Sequence, residues 1–301
     1  MTPYEKLPSV LLDELDAAGL DPRTVYDAVR AALAEDLPHE ADVDATSAAT
    51  IPAGAHGRGV FAAREDGVVA GLAVAELAFR VVLGDDVAVA HRLPDGSRVR
   101  PGDVLLDVSG PTRGLLTAER TALNYATHLS GVATATSRWV DALDGTNAKV
   151  LDTRKTLPTY RALQKYAVRC GGGHNHRFSL ADMALVKDNH VVAAGGVVPA
   201  YLAVKRAYPD LPIEVEVDSL DQLRELLEVG CERVLLDNMT PETLRAAVAM
   251  TAGRAVLEAS GGLTLEKARA VAETGVDWIS VGAITHSVKV FDIGLDLTSS
   301  R

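Results

Sequence analysis

Residues 212–238 read PIEVEVDSLDQLRELLEVGCERVLLDN. Two short apolar runs, IEVEVD and RVLLDN, enclose a helical pattern. The same unit recurs on both sides: AKVLDTRK and MALVKD come before it, AVLEAS and DWISVG after it. The last four runs begin near 213, 233, 255 and 277, a period of about 20 residues. Strand–helix alternation at that period predicts parallel βα units, and this many units predict a closed or nearly closed barrel. The runs are apolar rather than alternating, as expected of strands buried on both faces.

Each run ends in chemistry. The first ends in Arg154-Lys155 and the second in Lys187-Asp188. The third carries Glu214 and Glu216 with Asp218, and the fourth ends in Asp237-Asn238. The fifth ends in Ser260-Gly261-Gly262 and the sixth in Gly282. The carboxyl ends of barrel strands converge on one mouth, so these groups are expected to share it. Glycine-rich turns after the last two strands can offer backbone N–H groups to a phosphate. A glycine pair alone is weak evidence, and lone carboxylates near strand ends are structural as often as functional; their shared position gives them weight.

The chain has 301 residues, of which 48% are hydrophobic and only 4% aromatic. A core of Ala, Val and Leu suits helices packed on a parallel sheet. The net charge of −11 argues against a general nucleic-acid or membrane-surface binder. No apolar run reaches the ~18 residues of a membrane span. The opening MTPYEKLPSVLLDELDAAG lacks a basic region followed by an apolar one, so no secretory leader is expected. Cys170 and Cys231 sit in no metal-type spacing and read as reduced thiols of a cytoplasmic protein.

Residues 1–22 read as a short amphipathic helix and linker. A helix after Asp21-Pro22 places Val25, Val29 and Leu33 on one face. Residues 40–112 read as α+β with a small antiparallel sheet, with hairpin-type turns at Asp66-Gly67 and Asp95-Gly96 and a helix over AVAELAFRVVL. The stretch from Thr112 to Leu143 reads as one or two long helices, interrupted near Ser130-Gly131.

Within this acidic chain, residues 153–181 contain no Asp or Glu. They hold Arg154, Lys155, Arg161, Lys165, Arg169 and Arg177, with His174 and His176. Concentrated positive charge in an acidic protein implies a small anionic ligand. Arg161, Lys165 and Arg169 fall at i, i+4 and i+8 and read first as a solvated helix face. Gly171 reads as the cap of that helix. His174 and His176 lack a third ligand at metal-site spacing.

The stretch DTRKTLPTYRALQKYAVRCGGGHNHRFSLADMALVKDNH, residues 152–190, closely resembles the signature of the quinolinate phosphoribosyltransferase family. AERTALN, SGVATAT, EVEVDS, LLDN, SGGL and VGAITHS agree in order, and the resemblance covers about residues 22–297. It implies an α/β fold with an N-terminal α+β sandwich domain over 23–125, rejoined by 288–301, and a C-terminal open, TIM-like α/β barrel over 126–287. It implies homodimers, with a trimer of dimers left open, in which Arg120 reaches the other subunit's site. It implies a pentosyl transfer: quinolinate and phosphoribosyl pyrophosphate give nicotinate mononucleotide, pyrophosphate and carbon dioxide with Mg²⁺, at the entry to NAD biosynthesis. One local departure stands out: Ala126, Thr127 and His128 occupy ALNYATHLSG where the family pattern has Leu-Gln-x. These read as helix-face substitutions.

By the same resemblance, Arg120, Thr153, Arg154, Lys155, His176, Arg177 and Lys187 line the quinolinate and pyrophosphate region, with Glu119 orienting the cations. Glu216 and Asp237 stand beside the ribose and Mg²⁺, directly or through water. Ser260, Gly261, Gly262, Gly282 and Ala283 hold the 5-phosphate. Lys155, Lys187, Glu216 and Asp237 are the catalytic candidates, the two lysines as candidate proton donors to ring carbon 2. The rival readings are a paralogous phosphoribosyltransferase of molybdate-operon type with another acceptor, and a non-catalytic phosphosugar sensor, which would lack Lys187, Glu216 or Asp237.

Overall fold

The computed structural model describes residues 1–39 and 41–299. Ser300 and Arg301, the end of the expected rejoining segment, lie outside the described residues. The chain divides into two compact units. The first comprises Met1–Ala135, Ala162–Gly171 and the segment from Val288; the second comprises Thr136–Arg161 and Gly172–Ser287.

The first unit begins with α1 (Ser9–Ala17), α2 (Pro22–Asp36) and α3 (Ala45–Thr50). Asp21 starts α2 by accepting the Thr24 N–H at 2.9 Å, with Pro22 at the first helical position. Val25, Tyr26, Val29 and Leu33 form its buried face. Next come β1 (His56–Ala63), β2 (Gly67–Val68), α4 (Leu72–Leu83), β3 (Ala88–Arg92), β4 (Arg98–Val99) and β5 (Val104–Pro111). The long α5 (Thr112–Ala142) follows. The main sheet is antiparallel, ordered β12-β1-β5-β3, its first strand being the C-terminal β12 (Ile293–Ser299). Phe61 of β1 meets Phe79 of α4 edge to face at 5.8 Å, both fully buried.

Asp95-Gly96 does not close a hairpin between neighbouring strands. β3 pairs with β5 and β4 with β2. Asp95 instead caps α4, accepting N–H groups from Gly71 at 2.7 Å and Leu72 at 3.0 Å. It also accepts the Tyr166 hydroxyl at 2.8 Å. Burial raises its carboxyl pKa.

The expected interruption at Ser130-Gly131 is absent, and α5 runs on without a break. Ser130 and Thr134 act as a surrogate strand for the loop they face. The Ala70 N–H donates to Ser130 Oγ at 3.0 Å, and the Val68 N–H to Thr134 Oγ1 at 2.9 Å. Gly131 lets another segment approach, since a Cβ there would sit 2.4 Å from the Lys289 carbonyl oxygen. The residues that look like helix breakers are contact residues.

The second unit carries β6 (Lys149–Leu151), β7 (Ala184–Val186), α7 (Asp188–Ala194), α8 (Val197–Ala207), β8 (Ile213–Val217), α9 (Leu220–Glu228), β9 (Arg233–Asp237), α10 (Pro241–Thr251), β10 (Val256–Ser260), α11 (Leu265–Ala272), β11 (Trp278–Ser280) and α12 (Ala283–His286). All six predicted runs are strands, parallel and ordered β6-β11-β10-β9-β8-β7. Among the described residues no ladder joins β7 to β6, so the barrel is open there. A parallel bridge between Leu151 and His174 extends the β6 edge.

The helix α6 (Arg161–Cys170), between β6 and β7, groups from Ala162 on with the first unit, although its flanks belong to the second. It is not the solvated basic face its spacing suggested. Lys165 is 0% exposed, and Gln164 Nε2 lies 3.0 Å from His128 Nε2. His128 is thus a packing contact, its pKa lowered by burial. The reading from the sequence set the domain boundary at 125–126; the compact units divide between Ala135 and Thr136, within α5.

Gly131→Ala tests the close approach. In an open helix it would stabilise by ~0.5–1 kcal/mol. Against the Lys289 carbonyl we expect a loss of about 1–3 kcal/mol, read as a lower urea midpoint.

Candidate active site

Side chains at registered positions of neighbouring parallel strands point to one side. Glu216 of β8, Leu235 of β9 and Glu258 of β10 are such partners. Along one strand the same face returns every second residue, so Glu214 lies one pleat below Glu216 and Leu235 one below Asp237. This geometry turns the polar strand ends into a cavity of about 510 Å³. Thr153, Arg154, Lys155, His176, Arg177, Lys187, Glu216, Asp237, Ser260, Gly261 and Gly262 all line it. Leu185, Leu235, Asn238, Glu258 and Ser280 complete the wall. Gly282 adjoins it, since a Cβ there would lie 3.0 Å from Lys155 Cδ and 3.0 Å from His286 Nε2. Ala283 begins α12 directly after. Arg120 lies in the first unit, exposed on α5, and is not a lining residue. Glu119, beside it, has its carboxyl raised by burial. A larger cavity of about 730 Å³ lies in the first unit among Asp27, Arg30, Leu33 and Leu37, but it gathers none of the strand-end groups.

The cationic side of the cavity is under electrostatic load. Burial and then the charge of Arg154 lower the Arg177 pKa; Asp182 and Glu214 relieve only part of this. Arg154 Nε is buried without a hydrogen bond. Two guanidiniums held this way form a socket for anionic oxygens. Arg177 is steadied by a hydrogen bond, donating Nη1–H to the Met183 carbonyl at 3.0 Å.

The anionic side is strained in the opposite sense. Burial raises the Glu216 pKa, Lys187 at 3.9 Å lowers it, and Asp237 and Asp188 raise it further. Asp237 accepts from Asn238 Nδ2 at 2.8 Å. Gly261 leaves room for this pair: at φ +92° it carries no side chain, and a Cβ would come within 2.4 Å of Asn238 Oδ1 and 2.9 Å of Asp237 Oδ1. The Lys155 N–H is fixed by Thr153 Oγ1 at 3.0 Å and its carbonyl by the Thr285 hydroxyl at 2.8 Å.

Beneath the floor lies a cluster that the motifs did not announce. His176 Nε2 lies 2.8 Å from Glu214 Oε2 and 3.4 Å from Glu258 Oε2, and both glutamates are 1% exposed. Arg233 approaches Glu214 Oε1 at 3.7 Å. The three ligand-type atoms lie within 4.8 Å of one another, a metal-sized group. The 2.8 Å contact is a hydrogen bond, and Arg233 supplies a nearby cation, so the set reads as proton-sharing. Burial alone would lower the His176 pKa, but bonding to Glu214 and Glu258 outweighs it and raises it to about 9. The Arg177 N–H donates to Nδ1 at 2.8 Å, so the ring's own proton sits on Nε2. Burial also raises the Glu258 carboxyl, so the further proton that the cluster retains is shared between His176 and Glu258. Glutamates inside apolar runs, IEVEV and VLEAS, were the signal for this layer.

His174 meets the edge of Trp278 at 5.4 Å and lines no part of the cavity. Burial pushes Cys170 up to about 12 and Cys231 up to about 11, so neither is a poised nucleophile.

An open parallel α/β barrel whose strand ends combine an arginine socket with a carboxylate pair defines an anion-handling α/β enzyme. Family comparison makes this specific. Residues 44–130 match the N-terminal domain and residues 132–296 the C-terminal domain of quinolinate phosphoribosyl transferase. The chain belongs to that family. It is 54% identical over 275 residues to the nicotinate-nucleotide pyrophosphorylase [carboxylating] of Mycobacterium leprae, covering 90% of this chain and 96% of the relative. The probable enzyme of that name from Bacillus subtilis is 41% identical over 79% of this chain and 83% of its own. The crystal structure of NadC from Streptococcus pyogenes superposes with a TM-score of 0.88 at 38% identity, over 94% of this chain and 99% of that one.

The buried cluster gives a pH signature. A group whose folded-state pKa is raised contributes stability that is complete below its unfolded value, 6.5, and is lost as pH climbs through about 9. At about 1.4 kcal/mol per pH unit, the ceiling over that window is about 3.5 kcal/mol. Urea unfolding at pH 7 and pH 10 should show a larger stability loss for the wild type than for His176→Asn; parallel curves would contradict the assignment.

Proposed function

We propose that this protein transfers the phosphoribosyl group of phosphoribosyl pyrophosphate to the ring nitrogen of quinolinate. Nicotinate mononucleotide, pyrophosphate and carbon dioxide are the products, in NAD biosynthesis. The observation that carries this reading is the pairing of Arg154 with Arg177, only partly compensated and part-buried in the cavity that also holds Glu216 and Asp237. A pyridine dicarboxylate supplies the negative charge that the guanidiniums lack, and a ribose cation the positive charge that the carboxylates lack.

The chemistry follows from the charges. As the bond from ribose carbon 1 to pyrophosphate breaks, positive charge develops on the sugar, and Glu216 and Asp237 stabilise it. The leaving pyrophosphate takes the bonding electrons and is met by Lys155 and Lys187. The pyridine nitrogen bonds to carbon 1. The resulting pyridinium accepts the electron pair as the adjacent carboxylate departs as carbon dioxide, and a proton from Lys155 or Lys187 replaces it on ring carbon 2. Ser260, Gly261, Gly262, Gly282 and Ala283 form the phosphate end.

Glu216 and Asp237 fit a divalent cation: both offer hard oxygen donors, and burial, with the nearby charge of Asp237, raises the Glu216 pKa. Mg²⁺ held there would neutralise the pyrophosphate. Arg120 of a second copy would complete the cation set in a homodimer, which leaves the rival acceptor class little to explain with its single carboxylate.

Purified protein with Mg²⁺ and phosphoribosyl pyrophosphate should release carbon dioxide and mononucleotide from quinolinate and make none from nicotinate. Turnover of nicotinate instead would transfer the reading to a different acceptor. Arg177→Lys removes the two-pronged contact, worth about 1.5–3 kcal/mol, and should raise KM for quinolinate by about 10- to 100-fold.

A further inference from the structure

Three buried carboxylates converge on one tripeptide, Asn175-His176-Arg177. Asp152, fully buried after β6, accepts Asn175 Nδ2–H at 2.6 Å and the His176 N–H at 2.8 Å. Glu214 of β8 takes the His176 Nε2–H, and Glu258 of β10 flanks it. His176 Nδ1 in turn accepts the Arg177 N–H. Both ring nitrogens are thereby engaged within the protein, so His176 borders the cavity without a free nitrogen to offer a substrate. The imidazole instead links two strands of the barrel to the backbone of Arg177.

Arg177 needs such a link. Desolvation and Arg154 both disfavour its charge where it stands, and a flexible guanidinium under that load would swing towards water. Among the described residues, its side-chain hydrogen bond is to the Met183 carbonyl. We propose that Glu214 and Glu258 are positioning residues for acceptor recognition: through His176 they hold Arg177 in the carboxylate socket beside Arg154. The proposal rests on the acceptor reading above. It assigns these two glutamates, both 1% exposed and both turned to His176, a selective effect on one of two substrates. The Glu216 and Asp237 side of the cavity is held by other contacts, so the phosphoribosyl donor should not feel their loss.

The test is a KM split in the full-length enzyme with Mg²⁺. Glu214→Ala and Glu258→Ala should each raise KM for quinolinate by about 10- to 100-fold, in the manner of removed supporting shells. KM for phosphoribosyl pyrophosphate should stay within about twofold. Glu214→Gln keeps an oxygen to accept the Nε2–H and should return KM for quinolinate to within about threefold of wild type. Glu258→Asp, which withdraws the carboxylate by one methylene, reads the same effect if the alanine variants do not fold. Equal rises in both KM values, or a lower melting temperature with both unchanged, would overturn the positioning role while leaving the acceptor reading intact. A wild type that turns over no quinolinate would take down both.

Discussion

The repulsion between Arg154 and Arg177 is the constraint around which the barrel unit is organised. Burial and the like charge of Arg154 together disfavour the charged form of Arg177, and its pKa is lowered accordingly. A fold tolerates such an arrangement only where rigid elements over-determine it. Parallel strands do this well, because six strand ends deliver side chains to one mouth while the apolar faces behind them stay packed. Val215, Val234 and Leu236 are 0% exposed, and they anchor the strands that carry Glu216 and Asp237.

The compensation lies one layer down. Carboxylates rarely sit inside a barrel unless something holds them, and here His176 and Arg233 do so. The floor is negative, the socket above it positive, and the far wall negative again at Glu216 and Asp237. That alternation suits a reaction in which a dicarboxylate, a pyrophosphate and a developing ribose cation occupy one cavity in sequence. It also accounts for Arg154, Lys155 and Arg177, the cations between residues 153 and 181 that line the cavity.

Much of this was legible in the amino-acid sequence. The six runs, their period and their polar ends led to the six strands and to a shared cavity, because parallel strands buried on both faces leave a simple apolar signature. What was not legible depended on partners distant in the chain. Lys165 has the spacing of a solvated face, yet its helix packs into the first unit and buries it. Ser130-Gly131 has the composition of a break, yet side-chain bonds to Val68 and Ala70 and the approach of Lys289 make it a junction. Asp95-Gly96 has the dipeptide of a hairpin, yet its carboxylate caps a helix over twenty residues away. Glu214 and Glu258 were visible as charges in apolar runs, but their meaning required His176, which only the fold brings to them.

The central claim is that the paired guanidiniums demand two carboxylates. Calorimetric titration of the purified protein with quinolinate, and separately with nicotinate, tests this without any turnover. The account predicts that quinolinate binds at least tenfold more tightly and that rising salt erodes its advantage. Equal affinity for the two acids, at any ionic strength, would contradict it.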